Sequence, residues 1–137
     1  DMVADLATFS LLTEQDPAVL TLQLAPGTAL IHSQHPLASI ITAHLYASPS
    51  FAEVGQKLRQ NTPETALIWR QGLRPMASIC TVREAAFLED LLAGKSLLRA
   101  LNAATSSQTS TSSADFDFSN WLSMAVQNGL LLGAQLL

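Results

Sequence analysis

Apolar positions along the chain keep two different rhythms, and each predicts a type of element. Residues 19–25 alternate, with Leu20, Leu22 and Leu24 on one side and Thr21 and Gln23 on the other, which predicts a half-buried strand. Pro26-Gly27 suits a type II turn, in which Pro presets φ and Gly takes the positive φ. Ala29-Leu30-Ile31 follows as a short second strand. Pro36 fits the first position of a helix, and Leu37, Ile40, Ile41, His44 and Leu45 then recur at helical spacing. That amphipathic helix ends before Pro49, and the polar stretch 50–62 reads as either a short helix around Phe51–Leu58 or a loop. Two apolar runs, Thr65–Arg70 and Arg74–Cys80, flank Gln71-Gly72-Leu73, which predicts a hairpin. Pro75 cannot donate to a ladder and therefore places its strand at an edge.

Beyond the hairpin the period changes to that of helices. Thr81-x-x-Glu84 is a capping box, and its helix runs to Ala93, with Gly94 as the stop. Ser96 caps a second helix with Leu97, Leu98, Leu101 and Ala104 on its apolar side. Asp117 caps a third, in which Phe118, Trp121, Leu122 and Ala125 form a core stripe. Asn128-Gly129 ends it, and Leu130–Leu136 is short enough for a buried strand. Between the second and third helices, residues 105–114 are a polar, Ser/Thr-rich run that reads as a flexible loop. At the start, residues 2–12 predict one short apolar helix, stopped by Asp16-Pro17. The fold class is α+β: a small sheet with a hairpin packed on a three-helix, winged-helix-like unit, preceded by a β-turn-β-α segment.

Composition narrows the function classes. The 137 residues suit about one domain, with 48% hydrophobic but only 13% charged residues, against the roughly 25% usual for globular chains. No apolar run approaches the ~18 residues of a membrane span. A net charge of −4 disfavours nucleic-acid binding driven by bulk positive charge. One cysteine, Cys80, excludes an intramolecular disulfide and fits a reducing, cytoplasmic setting. Asp1 in place of an initiator Met suggests a fragment or a processed start.

Candidate chemistry is sparse. Cys80 precedes a helix N-cap, where a thiol pKa can fall, but a lone Cys more commonly packs in a core. His32-x-x-His35 and His44 form the one group of imidazoles, and the second ligand pair of a zinc set is missing. No Ser/His/Asp set or phosphate loop occurs, so catalytic residues, metal ligands and cofactors are all assigned as none. Arg70 and Arg74 would sit opposite each other at the hairpin tip, and like charges directly opposed are unfavourable. They read either as a clamp for an acidic peptide or phosphate, or as a solvated tip with splayed side chains. Met76 lies on the same edge strand, which could also take a peptide by strand addition. Trp69 alternates to the other face and reads as core.

Three stretches together resemble one bacterial family. They are ALIWRQG at residues 66–72, the E-x-x-x-L-x-x-L-x-x-G run from Glu84 to Gly94, and the FDF…W…GLLLG ending. With the TLQLAPGTALIHSQHPL segment, the resemblance to the HvfC/BufC-type family, long labelled a DNA-binding domain, covers roughly Leu6 to Leu136. His35 stands where the family usually has an aromatic before the Pro, which argues against a shared metal role there. The resemblance implies that residues 1–14 are the last helix of a mostly missing N-terminal helical domain and that residues 18–137 form the C-terminal domain. It also implies a non-enzymatic accessory role. Such proteins present the leader segment of a ribosomally made precursor peptide to a multinuclear non-haem iron enzyme, and the iron belongs to that partner. The rival expectation is a winged-helix transcription regulator, with Lys95, Arg99 and Asn102 as DNA contacts beside the Arg70/Arg74 wing.

Overall fold

The computed structural model describes residues 6–106 and 116–137. The order of elements begins with a 3-10 turn (Leu6–Ser10), α1 (Leu11–Glu14) and a second 3-10 turn (Pro17–Val19). It continues through β1 (Leu20–Leu24), β2 (Ala29–Ser33), α2 (Leu37–Tyr46), α3 (Phe51–Arg59), β3 (Glu64–Gln71) and β4 (Arg74–Cys80). It closes with α4 (Val82–Leu92), α5 (Leu97–Ser106), α6 (Phe118–Gln127) and β5 (Leu131–Leu136). The described residues thus form a mixed α+β fold with six α-helices and two small antiparallel sheets.

The β-turn-β expectation needs a correction. The turn itself is present, with Gly27 at φ 77° and the Thr28 N–H donating to Ala25 O at 3.2 Å. Its two strands do not pair with each other. β1 pairs with β5 in a two-stranded sheet, and β2 joins the hairpin in the order β2-β3-β4. Nor is β1 half-buried, because Leu20, Thr21 and Leu22 are all at most 5% exposed. The polar side of β1 is covered by the turn after α4, where the Thr21 hydroxyl donates to Lys95 O at 2.9 Å.

The core lies between β1, β5, the inner face of the hairpin and helices α4–α6. Phe87 is fully buried at its centre, with the rings of Phe116 and Trp121 each 4.8 Å away and Phe118 at 6.0 Å. Such offset and edge-on aromatic contacts add to the burial of their area. The caps expected from sequence form: Thr81 accepts from Glu84 N–H, Ser96 from Arg99 N–H and Asp117 from Asn120 N–H. The stretch 50–62 resolves as helix α3, started by a complete capping box between Ser50 and Glu53.

The hairpin is tied to the core at its tip. Trp69 Nε1–H donates to Asn128 O at 2.9 Å. Gly129 has φ 70°, and a Cβ there would lie 2.7 Å from Gln71 Cγ, so this turn needs glycine on both counts. At the other end of the chain, Phe9, Leu11 and Leu12 pack against the core, and Thr8 Oγ1 accepts from Ala134 N–H on β5. The single helix expected over residues 2–12 is instead the 3-10 turn followed by α1, and its first residues lie outside those described. The expected flexible loop at 105–114 falls mostly outside them too, although Thr105 still belongs to α5.

Helix α2 turns a different face inward from the one its aliphatic residues suggest. Its buried residues are Ala38, Ser39, Thr42 and Ala43, while Ile40 and Ile41 are half-buried and His44 and Leu45 exposed. Small side chains allow a close seat on β3 and β4, and a polar anchor fixes it. Glu64 Oε1 accepts from Ser39 N–H at 2.8 Å, and Oε2 accepts from the Ser39 hydroxyl at 2.7 Å and Lys57 Nζ at 3.0 Å. The carboxyl of Glu64 is held below its ordinary range. Burial alone would raise it, but the two bonds from Ser39 and the charge and hydrogen bond of Lys57 outweigh that.

A candidate peptide-binding cleft between helix α2 and the hairpin

The displaced aliphatic side of α2 forms one wall of a cleft of about 610 Å³, within the ~300–1,000 Å³ range of ligand pockets. Ile41 and Leu45 make that wall, Ile68, Pro75 and Ala77 supply the hairpin side, and Pro26 and Gly27 also line it. Arg70 is the charged residue lining it, and Trp69 and Met76 also border it.

The hairpin register decides which arginine belongs to this cleft. The strands pair Gln71↔Arg74, Arg70↔Pro75 and Trp69↔Met76. The loop is therefore two residues, Gly72-Leu73, with Gly72 at φ 63° as a tight hairpin requires. The expected three-residue loop with Arg70 opposite Arg74 is overturned. A shift of one residue sends a side chain to the other face, so Arg70 faces α2 with Pro75 while Arg74 faces away with Gln71. The two cations do not form an opposed pair. Trp69 is buried at 6% exposure, as its alternation predicts.

Backbone groups on the outer side of β4 are less available than an edge position implies. The pairing turns the backbone of residues 75, 77 and 79 outward. Pro75 has no N–H, and Ala77 N–H donates to Tyr46 Oη at 2.8 Å. The same hydroxyl points at Met76 Sδ, 4.0 Å away. Tyr46, the last residue of α2, therefore caps the edge beside the cleft.

The remaining candidates do not converge. Cys80 is buried, and its thiol is pushed far above its ordinary range, first by burial and then by the neighbouring Glu84 carboxylate. That keeps it protonated, the reverse of an activated thiol. Glu84 is itself raised by burial, offset in part by hydrogen bonds from Cys80, Trp121 and the Thr81 backbone. His32 sits between Thr65 Oγ1 at 2.9 Å and Glu89 Oε1 at 2.7 Å. His44 packs edge-on against Phe51, 5.5 Å between centroids, and His35 lies in the turn after β2, its N–H donating to Ser33 Oγ. Among the described residues, no group of three or more His, Cys, Asp or Glu side chains is arranged to hold a metal ion. Lys57 Nζ lies 2.9 Å from Ser39 Oγ, a nucleophile–base distance, but Ser39 is fully buried and both groups are held by Glu64. Lys95 Nζ lies 3.8 Å from Asp90 Oδ1, and Arg99 and Asn102 are exposed one turn apart on α5.

Ile41, Leu45 and Tyr46 were not identified as site residues from sequence. The available signal was the small-residue set Ala38, Ser39, Thr42 and Ala43, a second helical face competing with the aliphatic one. Comparison with family models, curated proteins and solved structures finds no match to the chain. No helix among the described residues is long and apolar enough to cross a membrane.

Proposed function

We propose that this chain is a non-enzymatic accessory module that binds the leader segment of a ribosomally made precursor peptide. On this reading it brings the peptide to a multinuclear non-haem iron enzyme in the cytoplasm, and the iron chemistry resides in that partner. Two supports are independent of each other. One is the sequence resemblance to HvfC/BufC-type proteins, carried by residues 66–72, 84–94 and 116–133. The other, which carries the proposal, is the aliphatic cleft with Arg70 at its rim, a form suited to anchoring side chains of a peptide. Met76 borders the cleft but, like Arg74, lies on the Trp69 face of the hairpin, so on this reading both are weaker candidates than Arg70.

The test is calorimetric titration of the purified chain with precursor peptides encoded beside its gene, in wild type and Ile41→Asp. The expected result is saturable binding that Ile41→Asp abolishes while circular dichroism stays unchanged. Absence of binding by every neighbouring precursor, together with no iron protein recovered on affinity purification from the host, would overturn the proposal.

The transcription-regulator reading has less support. Of the seven Lys and Arg residues, Arg83 is buried, Lys57 is bound by Glu64 and Lys95 lies beside Asp90. That leaves Arg59, Arg70, Arg74 and Arg99 to neutralise phosphates on a chain of net charge −4. Exposed Arg99 and Asn102 keep it testable, because a duplex-DNA binder shows a steep loss of affinity with added salt.

A further inference from the structure

Taking the peptide-binding reading as its premise, we infer that the cleft selects a segment in which an aliphatic side chain adjoins a carboxylate, and that Arg70 is the specificity-determining residue. The chemistry of the lining argues for both halves. Apart from Trp69 and Met76, its uncharged lining is aliphatic, glycine or proline, with Ile41, Leu45, Pro26 and Pro75 the largest. Trp69 does not offer an aromatic platform to an occupant, because its indole is buried and its N–H is committed to Asn128 O. The one charged lining residue is a cation, and no carboxylate lines the cleft to compete for it. A guanidinium presents a planar fork that matches a carboxylate bidentately, and a neutral amide satisfies it less well.

The edge of β4 explains why side chains carry the selection. Strand addition there needs free outward N–H and C=O groups. Pro75 removes one donor, and Tyr46 Oη occupies the next at Ala77. A peptide lying in the cleft therefore gains no backbone donor from residues 75 and 77. It gains from burying an aliphatic group against Ile41 and Leu45 and from placing an acid at Arg70.

The experiment is an NMR titration of the full 137-residue chain with three blocked hexapeptides, differing only in a central Leu-Glu, Leu-Gln or Ser-Glu pair. The expected result is that Leu-Glu perturbs the signals of Ile41, Leu45 and Arg70. It should bind roughly two- to fivefold tighter than Leu-Gln at low salt, as a partly exposed ion pair allows. That preference should vanish at high ionic strength and in Arg70→Gln, an exposed position where the fold is not at stake. Ser-Glu should bind more weakly than either Leu peptide. Equal binding of Leu-Glu and Leu-Gln in the cleft, or a preference that survives Arg70→Gln, would overturn the specificity while leaving the peptide-binding reading intact. New protection of backbone amides along β4 with displacement of Tyr46 would overturn the side-chain mode. If no hexapeptide perturbs the cleft signals, but a neighbouring precursor binds elsewhere on the chain, this inference fails and the accessory role stands; if neither binds, both fall.

Discussion

The two faces of the β3–β4 hairpin are built by opposite means. One face turns Leu67 and Trp69 into an interior of large side chains, where Phe87, Phe116 and Trp121 interlock. The other turns Glu64, Ala66, Ile68 and Arg70 toward α2, whose contact residues are small. On the first face, stability comes from aromatic area removed from water. On the second, a charged group at one end of β3 pins the helix, and a charged group near the other end is left at the rim of a cleft. The small-residue seat displaces the aliphatic side of α2 from the interior, and that displaced side lines the cleft. Substitutions on the two faces should then differ in kind: losses of stability on the first, and losses of binding with little stability change at the cleft.

The largest effect belongs to the aromatic face. Phe87→Ala should cost about 3–5 kcal/mol, because it opens a cavity among three rings that cannot all collapse into it. Urea denaturation should show the loss as a lower midpoint with an unchanged slope. A cost below about 1 kcal/mol would mean that this interior is not the stabilising one.

The next effect tests the anchor of the second face. Glu64→Gln should cost about 1.5–3 kcal/mol, since three hydrogen bonds to a charged group are weakened together. The pH dependence gives a sharper signature. The folded-state pKa of Glu64 is lowered, so its contribution is fully present above the ordinary carboxylate range and is lost as pH falls through the folded value. Acid unfolding of the wild type should therefore carry a stability loss that Glu64→Gln lacks. An identical acid limb in both proteins would show that the anchor does not contribute.

These two positions also mark how far the sequence could be read. The aromatic face was legible: Phe118, Trp121 and Ala125 show one period, Trp69 alternates inward, and Thr81, Ser96 and Asp117 announce their helices. The closing strand at residues 130–136 was legible as a short apolar run, although its pairing with β1 depends on long-range contacts that no local pattern encodes. The cleft was hidden for a physical reason. Periodicity assigns the most hydrophobic stripe to the interior, and in α2 that stripe is Ile40, Ile41 and Leu45. Glu64 lies 25 residues beyond Ser39 and draws the small, polar side inward instead. A difference of one loop residue places Arg70 opposite Pro75 instead of Arg74, and Ser50-x-x-Glu53 is the local signal that decides for helix α3 over a loop.

A smaller effect separates the edge from the cleft. Tyr46→Phe keeps the ring and removes the hydroxyl that accepts from Ala77 N–H and donates to Met76 Sδ, so it should cost about 0.5–1.5 kcal/mol. Hydrogen exchange at Ala77 should accelerate while the amides paired with β3 keep their protection. Unchanged exchange at Ala77 would mean that Tyr46 does not hold the edge.

The last effect is expected at the cleft wall, and it is the most informative about function. Leu45 is 40% exposed, so Leu45→Ser gives up only part of a leucine's burial and should cost about 1 kcal/mol. If a peptide buries an aliphatic group against it, the same change should weaken binding about tenfold, the loss of roughly 1.4 kcal/mol of apolar contact. Parallel urea melts and peptide titrations of one variant measure both numbers. A variant that binds normally would remove Leu45 from the recognition surface. A variant that melts as early as Glu64→Gln would show that the aliphatic side of α2 supports the fold after all, and that the two faces of the hairpin are not divided between stability and recognition.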